Sequence, residues 1–223
     1  MSAPLILSLD LDDTLWPIAP VILAAEEALW AWLQARHPQV MSRHSVASMR
    51  EIRAQVALEH PERSHDMTFL RHLTIMKMFG GDRAAREHAD AAFEVFYAER
   101  NRVTLYDDVR AALLRLRRRY RLFALSNGNA DLRRCGIDGF FEGHITAIAA
   151  GFPKPDARIF LHLLRTAGVE AAQALHVGDD PHADVHGAVT AGMQAIWLNR
   201  DARPWPEDLA PPPRTISTLA EII

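Results

Sequence analysis

Short apolar runs alternate with helical patterns along this chain, and that alternation restricts the possible folds more than any other feature. Residues 5–9, 121–126, 144–148, 174–177 and 194–198 are apolar runs flanked by turn residues or charge, the pattern of strands buried on both faces of a parallel sheet. Helical patterns lie between the later runs. In "DDVRAALLRLRRRY" Val109, Ala112, Leu113, Leu116 and Tyr120 fall on one face, with Asp107 or Asp108 as N-cap. In "DARIFLHLLRTAGV" Asp156 caps, Ile159, Phe160, Leu163 and Leu164 face inward, and Gly168 ends the helix. Strands alternating with helices predict βαβ units and an α/β fold: an open, doubly wound parallel sheet of Rossmann-like type.

Residues 16–102 break the alternation. No strand pattern occurs there, only four amphipathic stretches in succession. The first carries Ile22, Ala25, Leu29, Trp32 and Leu33, and the second Val46, Met49, Ile52 and Val56. The third carries Phe69, Leu70, Leu73 and Met76, and the fourth Ala85, Ala89, Phe93 and Phe96. Four such helices bury one another as a small bundle. The expected organisation is therefore an α/β core from residues 1–15 and 103–223, interrupted between its first two strands by a four-helix domain over 16–102. The segment "RDARPWPEDLAPPPR" reads as irregular and Pro-rich, before a short last helix. The basic run Arg115–Arg119 is most simply a solvated helix end that complements the helix dipole.

A length of 223 residues suits one large domain or a domain with an insertion, and 49% hydrophobic residues suffice for a packed core. A net charge of −3 gives no reason to expect a nucleic acid or an anionic membrane as partner. Cys135 is the single cysteine, so an internal disulfide is impossible and a reducing compartment is expected. The N-terminal stretch lacks a basic segment, a long apolar run and a cleavage site, because Asp10 interrupts it. The expected location is the cytoplasm.

Charge then collects where it is most costly. The first strand pattern, "ILSLDLDDTLWPIAP", runs straight into Asp10, Asp12 and Asp13. Side chains alternate along a strand, so Asp10 and Asp12 project to the same side. Ligands of open α/β sheets bind beyond the carboxyl ends of the strands. Asp13 suits a turn, but two like charges so close repel unless a positive group lies between them. Strand 174–177 likewise runs into "HVGDDPHAD", which supplies Asp179, Asp180 and Asp184. Carboxylates without cysteine describe a hard-cation site, to which Mg2+ is better suited than Zn2+. His182 and His186, four apart, are the zinc alternative. Lys154 sits between two prolines in "GFPKPDARIF"; with Lys77 it makes up the lysines of a chain with 23 arginines. Such a placement suggests a pre-positioned point charge. "LFALSNGNA" ends a strand in Ser126, Asn127, Gly128 and Asn129, whose hydroxyl, amide and backbone N–H groups suit an anion.

Taken in order, D-x-D-x-T, a strand ending in Ser, a lysine before a helix, and G-D-x-x-x-x-D resemble the haloacid dehalogenase-like hydrolase superfamily. Asp10, Asp12, Thr14, Ser126, Lys154, Gly178, Asp179 and Asp184 occupy its four motifs. The resemblance spans residues 5 to 199, and the helical insertion has the position of that superfamily's type C1 cap. It implies that Asp10 attacks phosphorus and that Asp12 acts as general acid and base. It implies Ser126, Asn127 and Lys154 on the phosphate, Mg2+ held by Asp10, Asp12 and Asp179, and support from Thr14 and Asp184. The cap is expected to close over the site and select the leaving group.

The same superfamily contains rivals. Haloacid dehalogenases lack the second Asp of the first motif, so Asp12 and Asp179 argue against dehalogenation. Phosphonate hydrolysis needs a cap lysine, for which Lys77 is the candidate, although it reads as a solvated helix edge. Phosphomutases share the motifs. A non-catalytic binding module predicts the loss of Asp10, Asp12, Lys154 or Asp179, and all are present. Within the superfamily "DLDDTLWPIAPVI", "SHDMT" and "LSNGNA" are similar to bacterial phosphatases of flavin mononucleotide and of 5-amino-6-(5-phospho-D-ribitylamino)uracil. The implied partner is a small phosphate ester, with a nucleoside 5′-monophosphate or a sugar phosphate as the alternative. Arg63, His65 and Arg71 are the candidate substrate contacts of the helical insertion, and Trp16 either stacks on a substrate ring or anchors the hinge.

Overall fold

In a computed structural model the protein is described over residues 4–81 and 83–222. Residues 1–3, 82 and 223, which the expected domain spans include, lie outside the described residues. The chain forms two compact units, Met1–Pro17 with Thr104–Ile223, and Ile18–Val103.

The first unit is built on a six-stranded, wholly parallel sheet: β1 (Ile6–Leu9), β2 (Arg121–Ser126), β3 (Gly143–Thr146), β4 (Ala174–Gly178), β5 (Gln194–Leu198) and β6 (Thr215–Ile216). The strand order is β3-β2-β1-β4-β5-β6, so the direction of winding reverses at β1. Both faces of β1 and β4 are buried, which explains why they are apolar apart from Ser8 and His176. Five of the strands coincide with the apolar runs. The sixth is two residues long and follows the Pro-rich segment, too short to register as a pattern. Residues 147–148, read as the end of a strand, instead open a helical turn capped by Thr146.

The other unit holds α1 (Ile18–Arg36), the short α2 (Pro38–Met41), α3 (Val46–Glu59), α4 (Met67–Met78) and α5 (Arg83–Arg100). A Ser45–Ser48 capping box starts α3, and Asp66 starts α4 by accepting from the Phe69 N–H. Ala25, Leu29, Leu33, Met49, Ala89 and Phe96 meet in its core, as their periodicity predicts. The buried face of α4 differs from expectation. Leu70, Arg71, Thr74, Ile75 and Met78 point inward, while Phe69, Leu73 and Met76 are half-buried. The apolar pattern misleads because Arg71 and Thr74 are buried with partners. Thr74 donates to the Leu70 carbonyl at 2.7 Å, and Arg71 pairs with Glu26 at 3.3 Å.

Back in the α/β unit, α6 (Val109–Leu116), α7 (Ala147–Ala150), α8 (Ala157–Ala167) and α9 (Gly187–Thr190) flank the sheet. Asp156 caps α8 and Gly168, with φ +67°, ends it. Asp108 precedes α6 without capping it. Its carboxylate instead accepts from Arg200 and from the Leu219 N–H. No helix among the described residues is long and apolar enough to cross a membrane.

Candidate active site

The ladder between β1 and β4 continues one step past β1, where the Asp10 N–H donates to Val177 O at 2.9 Å. Asp10 is thereby fixed at the carboxyl end of the central strand, where the strand order reverses. The chain then turns sharply. Asp13 takes a φ of +58°, a conformation Asp tolerates better than most residues, and its N–H bonds to Trp16 O at 2.7 Å. The turn returns Trp16 to Asp12, whose Oδ1 accepts the indole N–H at 2.9 Å. Trp16 is fully buried. Thr14 is buried too, and its carbonyl accepts twice from Arg200, at 3.2 and 3.0 Å.

Lys154 reaches the same place from the loop before α8. Asn127 clamps its backbone from both sides, accepting from Lys154 N–H at 2.7 Å and donating to Lys154 O at 2.9 Å. The side-chain amide of Asn127, expected on the phosphate, is therefore engaged with the lysine's main chain. The buried Lys154 Nζ donates to Oδ1 of Asp10 and Oδ1 of Asp184, each at 2.5 Å. Ser126 ends β2 and its hydroxyl accepts from the Gly128 N–H at 2.9 Å.

The third contribution comes from the end of β4. A Cβ on Gly178 would collide with Cγ and Oδ2 of Asp184, so only glycine leaves room for that carboxylate. Asp180 caps the wide helical turn Pro181–His186 by accepting from the His182 and Ala183 N–H groups. That turn carries Asp184 back over β4, where its Oδ2 accepts from the Asp180 N–H at 3.0 Å. Asp179 is held by Arg203, which donates to its carbonyl at 2.6 Å and to its carboxylate at 3.0 Å, and by the Trp197 indole at 2.8 Å.

Ligand atoms of Asp10, Asp179 and Asp184 all lie within 4.8 Å of one another. Three carboxylates thus face one ammonium. Burial pushes the Asp10 carboxyl well above its ordinary value, against the pull of Lys154. Burial and the neighbouring Asp184 raise Asp179 to about 6. Burial acts the same way on Asp184, but Lys154 and the hydrogen bonds from His176 and Lys154 outweigh it and hold that carboxyl low. Lys154 is the converse: burial would lower it, and Asp10 and Asp184 keep it firmly protonated. The excess of buried negative charge and the all-oxygen donor set fit a hard divalent cation. Neither His182 nor His186, the zinc alternative, belongs to this cluster; His182 lies 3.7 Å from Asp208 instead.

The helical unit holds the other candidates. Arg71 is buried, its guanidinium 3.8 Å above the Phe96 ring and paired with Glu26. Arg63 pairs with Asp66 at 2.5 Å and lies 3.6 Å over Phe69, and His65 is half-buried. Lys77 is ion-paired with Glu59.

Three supporting residues escape a reading of the sequence. Arg200 and Arg203 lie in the segment that reads as an irregular surface, and their only signal is that two arginines follow a strand end. His176 has a better one, as a polar residue inside the apolar run "ALHV". Fully buried, it faces Ser8 Oγ through Nδ1 at 2.8 Å and Asp184 Oδ1 through Nε2 at 3.0 Å.

A family model described as haloacid dehalogenase-like hydrolase matches residues 6–192. The 5-amino-6-(5-phospho-D-ribitylamino)uracil phosphatase YigB of Escherichia coli (strain K12) is 33% identical over 86% of this chain and 82% of its own. Phosphoserine phosphatase of Thermus thermophilus is 37% identical over 62% of this chain and 57% of its own. Among solved structures, one described as 2-haloacid dehalogenase from Pseudomonas syringae pv. Tomato DC3000 superposes with a TM-score of 0.91 at 37% identity. It covers 97% of this chain and 95% of its own.

Proposed function

The chain belongs to the haloacid dehalogenase-like hydrolases and is a phosphoric monoester hydrolase; we propose that it uses Mg2+ and an aspartyl-phosphate formed on Asp10. The observation that supports this most is the convergence of Asp10, Asp179 and Asp184 around a single buried Lys154. A carboxylate nucleophile must approach a phosphate dianion, and Coulomb repulsion opposes it. Lys154 offsets part of that charge, while the Ser126 hydroxyl and the backbone N–H groups after it hold non-bridging oxygens. Asp10 attacks phosphorus as the bond to the leaving oxygen breaks. Asp12, oriented by the Trp16 indole, gives its proton to that oxygen and then takes one from the water that hydrolyses the aspartyl-phosphate. A carboxylate oxygen of Asp10, the Asp12 carbonyl and Asp179 would hold Mg2+, which supplies further charge neutralisation when bound. Asp184 and Thr14 support these groups.

We take the helical unit as the cap that selects the leaving group. The similarity to the YigB phosphatase favours the riboflavin-precursor phosphate or flavin mononucleotide, ahead of nucleoside 5′-monophosphates and sugar phosphates. The site is suited to a small soluble ester, and a cytoplasmic setting agrees with a chain whose single cysteine, Cys135, can form no internal disulfide. A dehalogenase reading is favoured by the name given to the similar solved structure and opposed by Asp12 and Asp179, which carbon–halogen chemistry on Asp10 does not require.

One screen tests all of this. Purified protein is assayed for phosphate release from p-nitrophenyl phosphate, flavin mononucleotide, the ribitylaminouracil phosphate, phosphoserine, nucleotides and sugar phosphates, and for chloride release from 2-chloropropanoate. We expect phosphatase activity that EDTA removes and Mg2+ restores, kcat/KM highest on a flavin-related ester, no chloride release, and an inactive, folded Asp10→Asn variant. Undiminished turnover in EDTA eliminates the metal, and a flat substrate profile eliminates the flavin reading.

A further inference from the structure

We propose that His176, backed by Ser8, is a positioning residue that sets the place of Lys154 by acting through Asp184; the inference rests on the phosphatase reading above. Ser8 and His176 are direct register partners on β1 and β4, so their side chains emerge side by side on the same face. Neither is exposed. Four contacts then run in series: Ser8 Oγ to His176 Nδ1 at 2.8 Å, His176 Nε2 to Asp184 Oδ1 at 3.0 Å, and Asp184 Oδ1 to Lys154 Nζ and on to Asp10 Oδ1 at 2.5 Å each. The Phe160 ring abuts the imidazole edge-on, with centroids 5.5 Å apart, and limits its rotation.

The proton positions follow from the partners. An ionised Asp184 only accepts, so His176 must donate through Nε2–H. Its Nδ1 then carries a lone pair that accepts a hydrogen bond from the Ser8 hydroxyl at 2.8 Å, shorter than the 3.4 Å to the alternative acceptor, the Leu175 carbonyl. The pair can thus be satisfied with a neutral ring in one tautomer. Asp184 is consequently fixed on both oxygens, Oδ1 by His176 and Lys154, Oδ2 by the Asp180 N–H, with the space vacated at Gly178 behind it. Lys154 has two acceptors at equal distance. Its ammonium stays against the nucleophile only while Asp184 does not swing away and draw it off. A core needing mere apolar filling at this strand position would take leucine or valine and avoid burying two polar side chains.

The test compares His176→Leu, which keeps bulk without a donor, with His176→Gln, whose Nε2 amide can replace the imidazole donor. Both are made in the full chain and assayed with saturating Mg2+ on p-nitrophenyl phosphate, with thermal unfolding alongside. We expect the Leu variant to lose kcat by about 10- to 100-fold with KM changed by less than about threefold, and the Gln variant to recover most of that loss. If the Leu variant does not fold, His176→Asn replaces it, because its shorter amide reaches Ser8 but not Asp184. An equal fall in kcat for Gln and for the donor-less variant, or a Leu variant with unchanged kcat, overturns the proposal. Nitrogen-15 NMR of the histidine rings, assigned by the signal missing in His176→Gln, gives a readout that needs no turnover. A neutral Nε2–H tautomer with a protected proton is expected, and an Nδ1–H tautomer overturns the proposal. An inactive wild type that shows the expected tautomer counts against the phosphatase reading alone.

Discussion

Replacing Asp179 by asparagine should stabilise the metal-free protein while destroying its response to Mg2+. The carboxyl of Asp179 has a side chain only 16% exposed and is raised from an ordinary 3.8 to about 6, first by burial and then by Asp184. Its folded value lies above its unfolded one. The penalty for ionising it is therefore absent below pH 3.8, grows as the pH rises from there to 6, and is complete above. At about 1.4 kcal/mol per pH interval the complete penalty is about 3 kcal/mol. The asparagine would keep an acceptor for Arg203 but bury an amide, so a net gain of about 2 kcal/mol is expected at about pH 7.5, or a rise of roughly 4–8 °C in Tm. At about pH 4.5 the wild-type penalty shrinks to about a third, and the advantage of the variant should shrink with it. The assay is thermal and urea unfolding of both proteins in EDTA at the two pH values, repeated in Mg2+. The cation should raise the wild-type Tm and leave that of the variant unmoved, since binding to the folded state alone stabilises it. An Asp179→Asn protein less stable than wild type in EDTA at the higher pH, or an advantage of the same size at the lower, would refute the claim that these carboxylates lack enough positive charge.

Two further outcomes follow from the packing. Gly178→Ala drives a methyl into the Asp184 carboxylate; it should cost about 1–3 kcal/mol in urea unfolding and at least about tenfold in kcat, and a neutral effect on both would mean that Asp184 is not held as described. His144 is half-buried, its Nε2 has no hydrogen-bond partner among the described residues, and burial lowers its proton affinity below the ordinary 6.5. The neutral ring carries no such penalty above pH 6.5, and stability is lost as the pH falls below it, so His144→Gln should flatten the stability profile between about pH 7 and 5; an unchanged slope would remove His144 as a source of acid sensitivity.

What the sequence reveals of this fold depends on how much each element must bury. β1, β2, β4 and β5 lie inside the sheet and are mostly apolar, so their boundaries are legible to within about a residue or two. β6 is a two-residue edge strand whose backbone pairing leaves almost no compositional trace. α4 is legible as a helix but not in its rotation, because its segment "MTFLRHLTIMKM" is apolar on more than one side. A guanidinium stacked on Phe96 and a hydroxyl bonded within its own helix belong to the buried face without reading as such.

The site divides along a similar line, between residues that touch the reacting charge and residues that hold those residues still. Asp10, Asp179 and Asp184 stand out in sequence because charge following a buried strand is costly and needs a reason, and Lys154 because it sits between two prolines in a chain with 23 arginines. Asn127, Trp16, Arg200, Arg203 and His176 give no such warning from charge, since most of their partners are distant in sequence and several are backbone atoms. Asn127 reads as an anion ligand, and its amide also holds the main chain of Lys154, 27 residues away. Of these five, His176 alone shows a physical contradiction that is visible beforehand, a polar ring in a strand with no exposed face. Satisfying it requires Ser8 on the adjacent strand and a carboxylate beyond the strand end. The three can meet because β1 and β4 are paired neighbours in register, so the sheet order that creates the crevice also supplies the support beneath it.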